Sequence, residues 1–186
     1  MTTLWTSDLH LGHDKDWLWG PRGFSSAQEH DSFILNHWNN TVDYSTTLIM
    51  VGDFLMGLNK VERVRHLLTT MPYRKFIWVL GNHDPLLSKM QDFLPFAQRD
   101  IEVHALGTNP VIDGHIVSHF PPNSIGERTP ERNARYGQFT PQFGPEPRTY
   151  VHGHTHLTDK VLEVNGNTMY HVGWDAHREF ISLEGI

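Results

Sequence analysis

The chain has 186 residues, a formal net charge of −6 with histidine neutral, and no cysteine. That length fits one domain, and a hydrophobic share of 38% indicates a packed core rather than a disordered chain. The missing cysteines exclude disulfides, thiolate metal sites and a cysteine nucleophile, and the acidic balance argues against non-specific DNA binding.

The first half of the chain alternates short apolar stretches with helical patterns. Buried strands are predicted at Thr3–Ser7, Thr46–Val51 and Phe76–Leu80. Helices are predicted from Ala27 to about Asn40 and from Lys60 to about Thr70. Asn59, followed three residues later by Glu62, predicts a capping pair at the start of the second helix. The strand–helix–strand order indicates βαβ units.

The second half reads as short strands joined by tight turns. Strands are predicted at Ile101–Leu106, Asn109–Ile112, Ile116–Ser118, Val161–Val164 and Thr168–Val172. Asp113-Gly114 and Asn165-Gly166 are dipeptides typical of two-residue hairpin turns. Residues 121–148 are rich in proline and arginine and predict a long loop. This loop is either a solvated surface segment or a lid that brings a cation to an anionic substrate.

Polar side chains follow five of the predicted strands. The runs are Asp8-Leu9-His10, Gly52-Asp53, Gly81-Asn82-His83-Asp84, Ser118-His119-Phe120-Pro121 and Gly153-His154-Thr155-His156. Because α/β sheets hold their ligands at the carboxyl ends of strands, we expect these groups to meet at one site. Carboxylate, amide and imidazole donors together suit Mn²⁺, Fe, Zn²⁺ or Ni²⁺ better than Ca²⁺ or Mg²⁺. The donor set is too large for one ion and fits two ions joined by a carboxylate.

In these runs the sequence resembles the calcineurin-like metallophosphoesterases, and it looks closest to their short stand-alone bacterial and phage members. The resemblance spans essentially the whole chain and implies one domain over residues 1–186. The fold it implies is an α/β/β/α sandwich of two mixed sheets flanked by helices. The activity it implies is hydrolysis of a phosphomonoester or phosphodiester by a metal-bridging hydroxide, without a covalent enzyme intermediate.

The resemblance also implies roles for individual residues. The first metal would be held by Asp8, His10, Asp53 and His156. Asp53 would bridge to a second metal, whose other ligands would be Asn82, His119 and His154. As catalytic residues, His83 would contact the phosphate and protonate the leaving oxygen, and Asp84 would help to orient its neighbour. The cofactors expected are two divalent transition-metal ions, with Mn²⁺ as the first choice and Fe, Zn²⁺ or Ni²⁺ as alternatives.

The residues expected around the substrate rest on position alone. His13 and Arg22 are either phosphate contacts or ordinary loop residues. Arg128, Arg132 and Arg135 would meet an anionic substrate if the long loop acts as a lid. A small phosphorylated or nucleotide-like substrate is expected, because the chain has few cations with which to neutralise the phosphates of duplex DNA.

Two alternatives differ in function class. A catalytically weak phosphoesterase fold could serve as a binding or regulatory module, but that reading predicts a missing ligand, and the motifs are complete. A relative of the metallo-β-lactamases requires an H-x-H-x-D-H run, which the sequence lacks. The sequence also contains no apolar run long enough for a membrane helix and opens without the pattern of a signal peptide, so a cytoplasmic location is expected.

Overall fold

The computed structural model describes residues 2–89, 100–127 and 129–184, apart from the side chains of residues 132 and 133. Its strands are β1 (Thr3–Thr6), β2 (Thr47–Val51), β3 (Lys75–Val79), β4 (Asp100–His104), β5 (Val111–Ile112), β6 (His115–Val117), β7 (Thr149–His152), β8 (Val161–Val164) and β9 (Asn167–His171). Its helices are α1 (Asp16–Trp19), α2 (Ala27–Thr41), α3 (Lys60–Thr70), α4 (Pro130–Tyr136) and α5 (Trp174–His177). In these described segments, no helix combines the length and the apolar character needed to cross a membrane.

The first sheet has the order β1-β2-β3-β4. β2 is buried along its whole length, which accounts for its unbroken apolar sequence. On one face of the sheet, Trp38 of α2 and Val64 of α3 join strand residues such as Phe76 in a hydrophobic core. The resemblance implied two mixed sheets, and this first sheet differs in that its four described strands are all parallel. Helical crossovers join β1 to β2 and β2 to β3, and such crossovers leave strands parallel.

The second sheet has the order β5-β6-β7-β9-β8 and mixes parallel with antiparallel pairs. Hairpins join β5 to β6 through Asp113-Gly114 and β8 to β9 through Asn165-Gly166, as predicted. The φ angles of the two turns are 50° and 87° in the first and 52° and 78° in the second. A two-residue turn of type I′ requires these positive values, which explains the dipeptides at both sites.

The two sheets pack face to face. Ile49 of the first sheet and Val151 of the second belong to the core between them. The opposite face of the second sheet is covered partly by residues 121–148, where the rings of Phe143 and Tyr150 have centroids 5.4 Å apart. The result is the layered arrangement of two sheets flanked by helices that the resemblance implied.

The predicted strands and the two long helices are confirmed, with ends that differ from the prediction by at most two residues. Two local predictions were wrong. Asn59 does not cap α3, because its backbone is left-handed with φ of 56° and its side chain makes no capping hydrogen bond. Residues 121–148 are not a structureless loop, since they contain α4 and short 3₁₀ turns at Pro122–Ser124 and Gly137–Phe139. Pro130 is the first residue of α4, where a missing N–H and a fixed φ are tolerated.

Candidate active site

The predicted metal ligands come together where strands of both sheets end. Loops of the first sheet supply Asp8, His10, Asp53 and Asn82. Loops of the second sheet supply His119, His154 and His156. Beside them lies a cavity of about 500 Å³, whose wall includes His10, Asp53, Asn82, His154 and His156. The seven residues thus form one site at the junction of the sheets.

Most of these residues have an uncommon backbone conformation. The φ angle lies between 50° and 69° at Asp8, His10, Asp53, His154 and His156. Left-handed backbone outside glycine is infrequent and persists where surrounding contacts hold it. The N–H groups of Asp8 and His10 donate to the carbonyls of Gly52 and Asp53 at 3.0 and 2.9 Å, which ties the first two ligand loops together.

Two motif glycines are explained by close approach. A Cβ atom at Gly153 would overlap Ser7 Oγ and Asp8 Oδ2. Gly52 has φ of 84°, and a Cβ atom there would overlap the ring of His119. A side chain at either position would displace a predicted ligand, so glycine is needed beside the carboxylate and imidazole donors.

The donor atoms of Asp8, His10 and His156 converge, and we call these three residues the first group. His10 Nε2 lies 3.1 Å from His156 Nε2, and each of these nitrogens lies 3.8 Å from Asp8 Oδ1. The other oxygen of Asp8 accepts hydrogen bonds from Ser7 Oγ at 2.6 Å and from the His154 N–H at 2.9 Å. One oxygen therefore anchors Asp8, and the other faces the two histidines.

Asp53, His119 and His154 form the second group. His119 Nε2 lies 3.3 Å from Asp53 Oδ2 and 3.2 Å from His154 Nδ1. The same oxygen of Asp53 lies 3.6 Å from His10 Nε2 in the first group. Asp53 therefore reaches both groups, which is the position of a bridging carboxylate.

Electrostatic effects distinguish the histidines of the two groups. Burial alone would lower the pKa of His119, but the carboxylate of Asp53 outweighs it and raises the pKa to about 10. At His10 burial dominates and lowers the pKa to about 3. Burial acts to raise the pKa of Asp53, but the positive charge of His119 outweighs it and lowers this pKa below its usual range. A metal ion bound by the second group would therefore have to displace a proton from His119.

The donor set fits divalent metal ions. Asp8 Oδ1 and Asn82 Oδ1 are buried acceptors without a hydrogen-bond partner among the described residues. Buried acceptors of this kind are rare unless water or an ion satisfies them. Within each group the three donor atoms lie within 4.8 Å of one another, and imidazole with carboxylate is a ligand combination that transition metals favour. Each of the two groups could therefore bind a divalent metal ion.

Asp84 binds the backbone around Asp53 and does not line the cavity. Its carboxylate accepts hydrogen bonds from the N–H groups of Asp53, Phe54 and Gly81 at 2.9, 2.8 and 2.8 Å, and from the indole of Trp78 at 3.1 Å. Burial and the neighbouring charge of Asp53 raise the pKa of Asp84 to about 7. This placement gives Asp84 the task of fixing the Asp53 loop rather than a direct part in catalysis.

His83 and His13 lie on the cavity wall beside the ligands. The ring of His83 is exposed, its centroid lies 5.6 Å from that of His10, and its backbone N–H donates to Asp53 Oδ1 at 2.9 Å. His13 is buried, and its Nδ1 accepts a hydrogen bond from the Lys15 N–H at 3.1 Å. Both imidazoles therefore border the open space beside the candidate ligands.

The wall farther from the ligands comes from α1 and α4. Arg135 and Tyr136 of α4 line the cavity, as does Trp17 of α1. The ring of Tyr136 stacks on Phe120 at 4.9 Å and lies 5.4 Å from the ring of His154. Trp17 is 66% exposed, whereas tryptophan side chains are highly buried on average. These side chains give the cavity aromatic surfaces and one positive charge.

Arg22 lies behind the ligands and not on the cavity wall. It is 4% exposed, and its guanidinium donates to both carboxylate oxygens of Asp175 at 2.8 and 2.6 Å. A phosphate contact through Arg22 does not fit this placement. Of the arginines predicted in the long loop, Arg135 reaches the cavity, whereas Arg128 and the side chain of Arg132 lie outside the described residues.

The sequence analysis did not single out several residues at the site, among them Trp17, Glu127 and Asp175. Asp175 Oδ2 accepts a hydrogen bond from His156 Nδ1 at 2.7 Å, and Glu127 Oε1 lies 2.8 Å from His154 Nε2. Asp175 follows the last predicted strand in the run V-G-W-D, so its position after a strand was an available signal. Glu127 and Trp17 belong to no motif, and the sequence offers no sign of their contacts.

Comparison with known proteins identifies the family. The sequence profile described as calcineurin-like phosphoesterase matches residues 1–158. The chain belongs to the calcineurin-like phosphoesterase family. The Gene 66 proteins of Mycobacterium phages D29 and L5 are 29% and 28% identical to it, over alignments that cover 100% of this chain and 94% and 93% of theirs. These relatives agree with the short stand-alone type.

The fold of the family is also seen in a solved structure. The crystal structure of AQ665, a protein of unknown function from Aquifex aeolicus, matches with a TM-score of 0.56 and 19% identity. The match covers 97% of this chain and 95% of that one. At this identity the similarity shows the fold alone, which is that of the metallo-dependent phosphatases. Family membership and the two His/Asp groups together fit a metal-dependent phosphoesterase.

Proposed function

We propose that the protein uses two divalent metal ions to hydrolyse a phosphomonoester or phosphodiester. The observation that carries this proposal is the position of Asp53, whose Oδ2 lies within 3.6 Å of His10 Nε2 and 3.3 Å of His119 Nε2. Ions held in the two groups would lower the pKa of a bound water and neutralise charge on the phosphate oxygens. Mn²⁺ is the first candidate, and Fe, Zn²⁺ and Ni²⁺ share its preference for these donors.

The side chains around the ligands have separate tasks in this proposal. His83, exposed on the cavity wall, donates a proton to the leaving oxygen or a hydrogen bond to the phosphate. Asp84 holds the loop of Asp53 through three backbone N–H groups and so keeps the shared carboxylate in place. His13 borders the same space and can donate to a phosphate oxygen.

We further propose a small phosphorylated or nucleotide-like substrate. A cavity of about 500 Å³ has the size of a small-molecule site. Arg135 supplies positive charge for an anionic group, and Trp17 and Tyr136 supply aromatic surface for a planar one. The net charge of −6 disfavours long duplex DNA, which requires a basic surface.

The test is a hydrolysis panel with the purified protein. Mn²⁺, Ni²⁺, Zn²⁺ and Mg²⁺ are each supplied with an aryl phosphomonoester and an aryl phosphodiester. We expect turnover in the presence of the transition metals. A chelator should abolish this turnover, and so should the substitution His119→Ala. His66→Ala is the matched control, because His66 is an exposed histidine of α3 outside both groups. Two bound ions without turnover on either ester would instead support a binding or regulatory module.

A further inference from the structure

Asp175 and Arg22 form an ion pair directly behind the first group. Arg22 Nε donates to Asp175 Oδ1 at 2.8 Å, and its Nη2 donates to Oδ2 at 2.6 Å. The same Oδ2 accepts a hydrogen bond from His156 Nδ1 at 2.7 Å. On the other side of the His156 ring, Nε2 faces His10 Nε2 and Asp8 Oδ1. A continuous chain of contacts therefore runs from Arg22 to the donor atoms of the first group.

The remaining contacts of Arg22 are also internal. Its Nη2 donates to the carbonyl of Asp8 at 2.8 Å, and its Nη1 donates to the carbonyl of Leu9 at 3.2 Å. Nη1 also lies 2.9 Å from His30 Nε2, and His30 is fully buried. Since Arg22 holds Asp175 and the backbone of the ligand Asp8 at once, it joins α5 to the loop after β1.

The carboxylate of Asp175 also decides which nitrogen of His156 faces the first group. An acceptor at Nδ1 keeps the ring proton on that nitrogen and leaves the lone pair of Nε2 directed at the other donors. Without the acceptor, the ring can turn and the proton can move to Nε2. A ligating histidine that donates its second nitrogen to a carboxylate is oriented and made more basic by it.

We propose that Asp175 and Arg22 are positioning residues that set the metal affinity of the first group without contacting the substrate. The inference rests on the two-metal function proposed above. Loss of a carboxylate behind a ligating histidine typically lowers metal affinity about 10–100-fold. Among the described residues, the side-chain contacts of Asp175 are with His156 and Arg22, neither of which belongs to the second group. We therefore expect the ion of the second group to keep its affinity.

The test is a metal titration of the full chain carrying Asp175→Asn. Bound Mn²⁺ is measured by elemental analysis after equilibrium dialysis, and Co²⁺ binding is followed by visible absorption. We expect the wild type to bind two ions, and the variant to bind one with unchanged affinity and the other about 10–100-fold more weakly. Glu102→Gln is the matched control, because it removes a carboxylate that also contacts a histidine, His104 at 2.8 Å, on β4.

A second variant, Arg22→Lys, keeps the positive charge but loses the paired donors that hold Asp175. We expect Arg22→Lys to lower the affinity for the ion of the first group by a smaller factor than Asp175→Asn does. If Asp175→Asn does not fold, Arg22→Lys is compared with the wild type in its place. A folded variant that loses both ions equally, or neither, overturns the proposal. Failure of both variants to fold assigns Asp175 and Arg22 a structural role and overturns it as well. If the wild-type chain binds no ion, the proposed function itself is contradicted. This result is distinguishable from failure of the proposal for Asp175 and Arg22, in which the wild type binds two ions.

Discussion

Glu127 Oε1 lies 2.8 Å from His154 Nε2, while Nδ1 of the same ring faces His119 in the second group. Glu127 Oε1 and His154 Nε2 are at ion-pair distance but are not aligned for a hydrogen bond with each other. Glu127 belongs to residues 121–148, and Tyr136 from the same segment packs against the His154 ring. The second group is therefore backed by the segment that also lines the cavity, whereas the first group is backed by α5.

Glu127→Gln is expected to weaken the ion of the second group and leave that of the first unchanged. The reason is that the carboxylate favours His154 with its proton on Nε2, which leaves Nδ1 to face the other donors. We expect a loss of roughly 10-fold, since alignment is imperfect. The dialysis and absorption measurements used for Asp175→Asn check it, and weakening of the ion that Asp175→Asn weakens would contradict it.

Asp53→Asn is expected to abolish binding of both ions together. Its Oδ2 lies near a histidine of each group, and an amide cannot supply the shared negative charge. Elemental analysis after Mn²⁺ reconstitution measures the number of ions per chain, with Glu102→Gln as the control. Retention of one ion at wild-type affinity would mean that Asp53 serves a single group.

His83→Ala is expected to retain both ions and lose about 10²–10⁴-fold in kcat, the usual contribution of general acid–base catalysis. Its side chain is exposed on the cavity wall, and its hydrogen bond to Asp53 comes from the backbone N–H, which alanine retains. The loss should shrink for aryl esters, whose leaving groups need no proton. Steady-state kinetics on aryl and alkyl esters test this, with His66→Ala as control. Equal losses on both would favour a role in binding the phosphate.

Trp17→Ala is expected to raise KM for a substrate with a planar leaving group by the equivalent of about 1–3 kcal/mol, the usual range for stacking on a base. The indole lines the cavity although it is 66% exposed. Tyr44→Ala is a matched control, because Tyr44 is equally exposed at 66% and does not line the cavity. A methyl ester should show little change, and an equal rise in KM for both esters would argue against stacking.

The free energy of unfolding of the metal-free chain is expected to fall as the pH drops below about 6.5, in part through His37. Partial burial lowers the pKa of His37, whose Nε2 accepts a hydrogen bond from the Phe180 N–H at 3.2 Å. The unfolded state therefore binds the proton more readily, so the contribution is present above an unfolded pKa of about 6.5 and is lost as the pH falls towards the lowered value. Chemical unfolding in chelator at pH 7 and pH 5 should give a smaller decrease for His37→Gln than for the wild type. Identical decreases would exclude His37 as a source.

The convergence of the candidate ligands could be predicted because each follows an apolar strand in a short polar run. The contacts behind these residues, such as that between Arg22 and Asp175, could not be predicted, because they join residues far apart in the chain. Arg22 and Asp175 are separated by 153 positions, and in isolation Arg22 reads as a loop arginine free to meet a phosphate. Only the folded arrangement of α5 against the loop after β1 shows that its donors are already engaged.

The segment 121–148 illustrates a different limit of prediction. Its proline content indicates a loop, yet Pro130 begins α4, and Tyr136 and Phe139 stack on Phe120 with centroids 4.9 and 6.2 Å away. Packing of these aromatic rings is a tertiary effect that local patterns do not report.

Each group of ligands draws on both sheets, and the chain passes from one sheet to the other through an exposed turn at Gly107. A cut at this turn would yield two fragments, each with all the strands of one sheet. Neither fragment would carry a complete group, because Asp8, His10 and Asp53 would be on one and His119, His154 and His156 on the other. Divalent ions bound by the two groups would then link the fragments in addition to the apolar core between the sheets, and reconstitution of the split protein would depend on metal concentration.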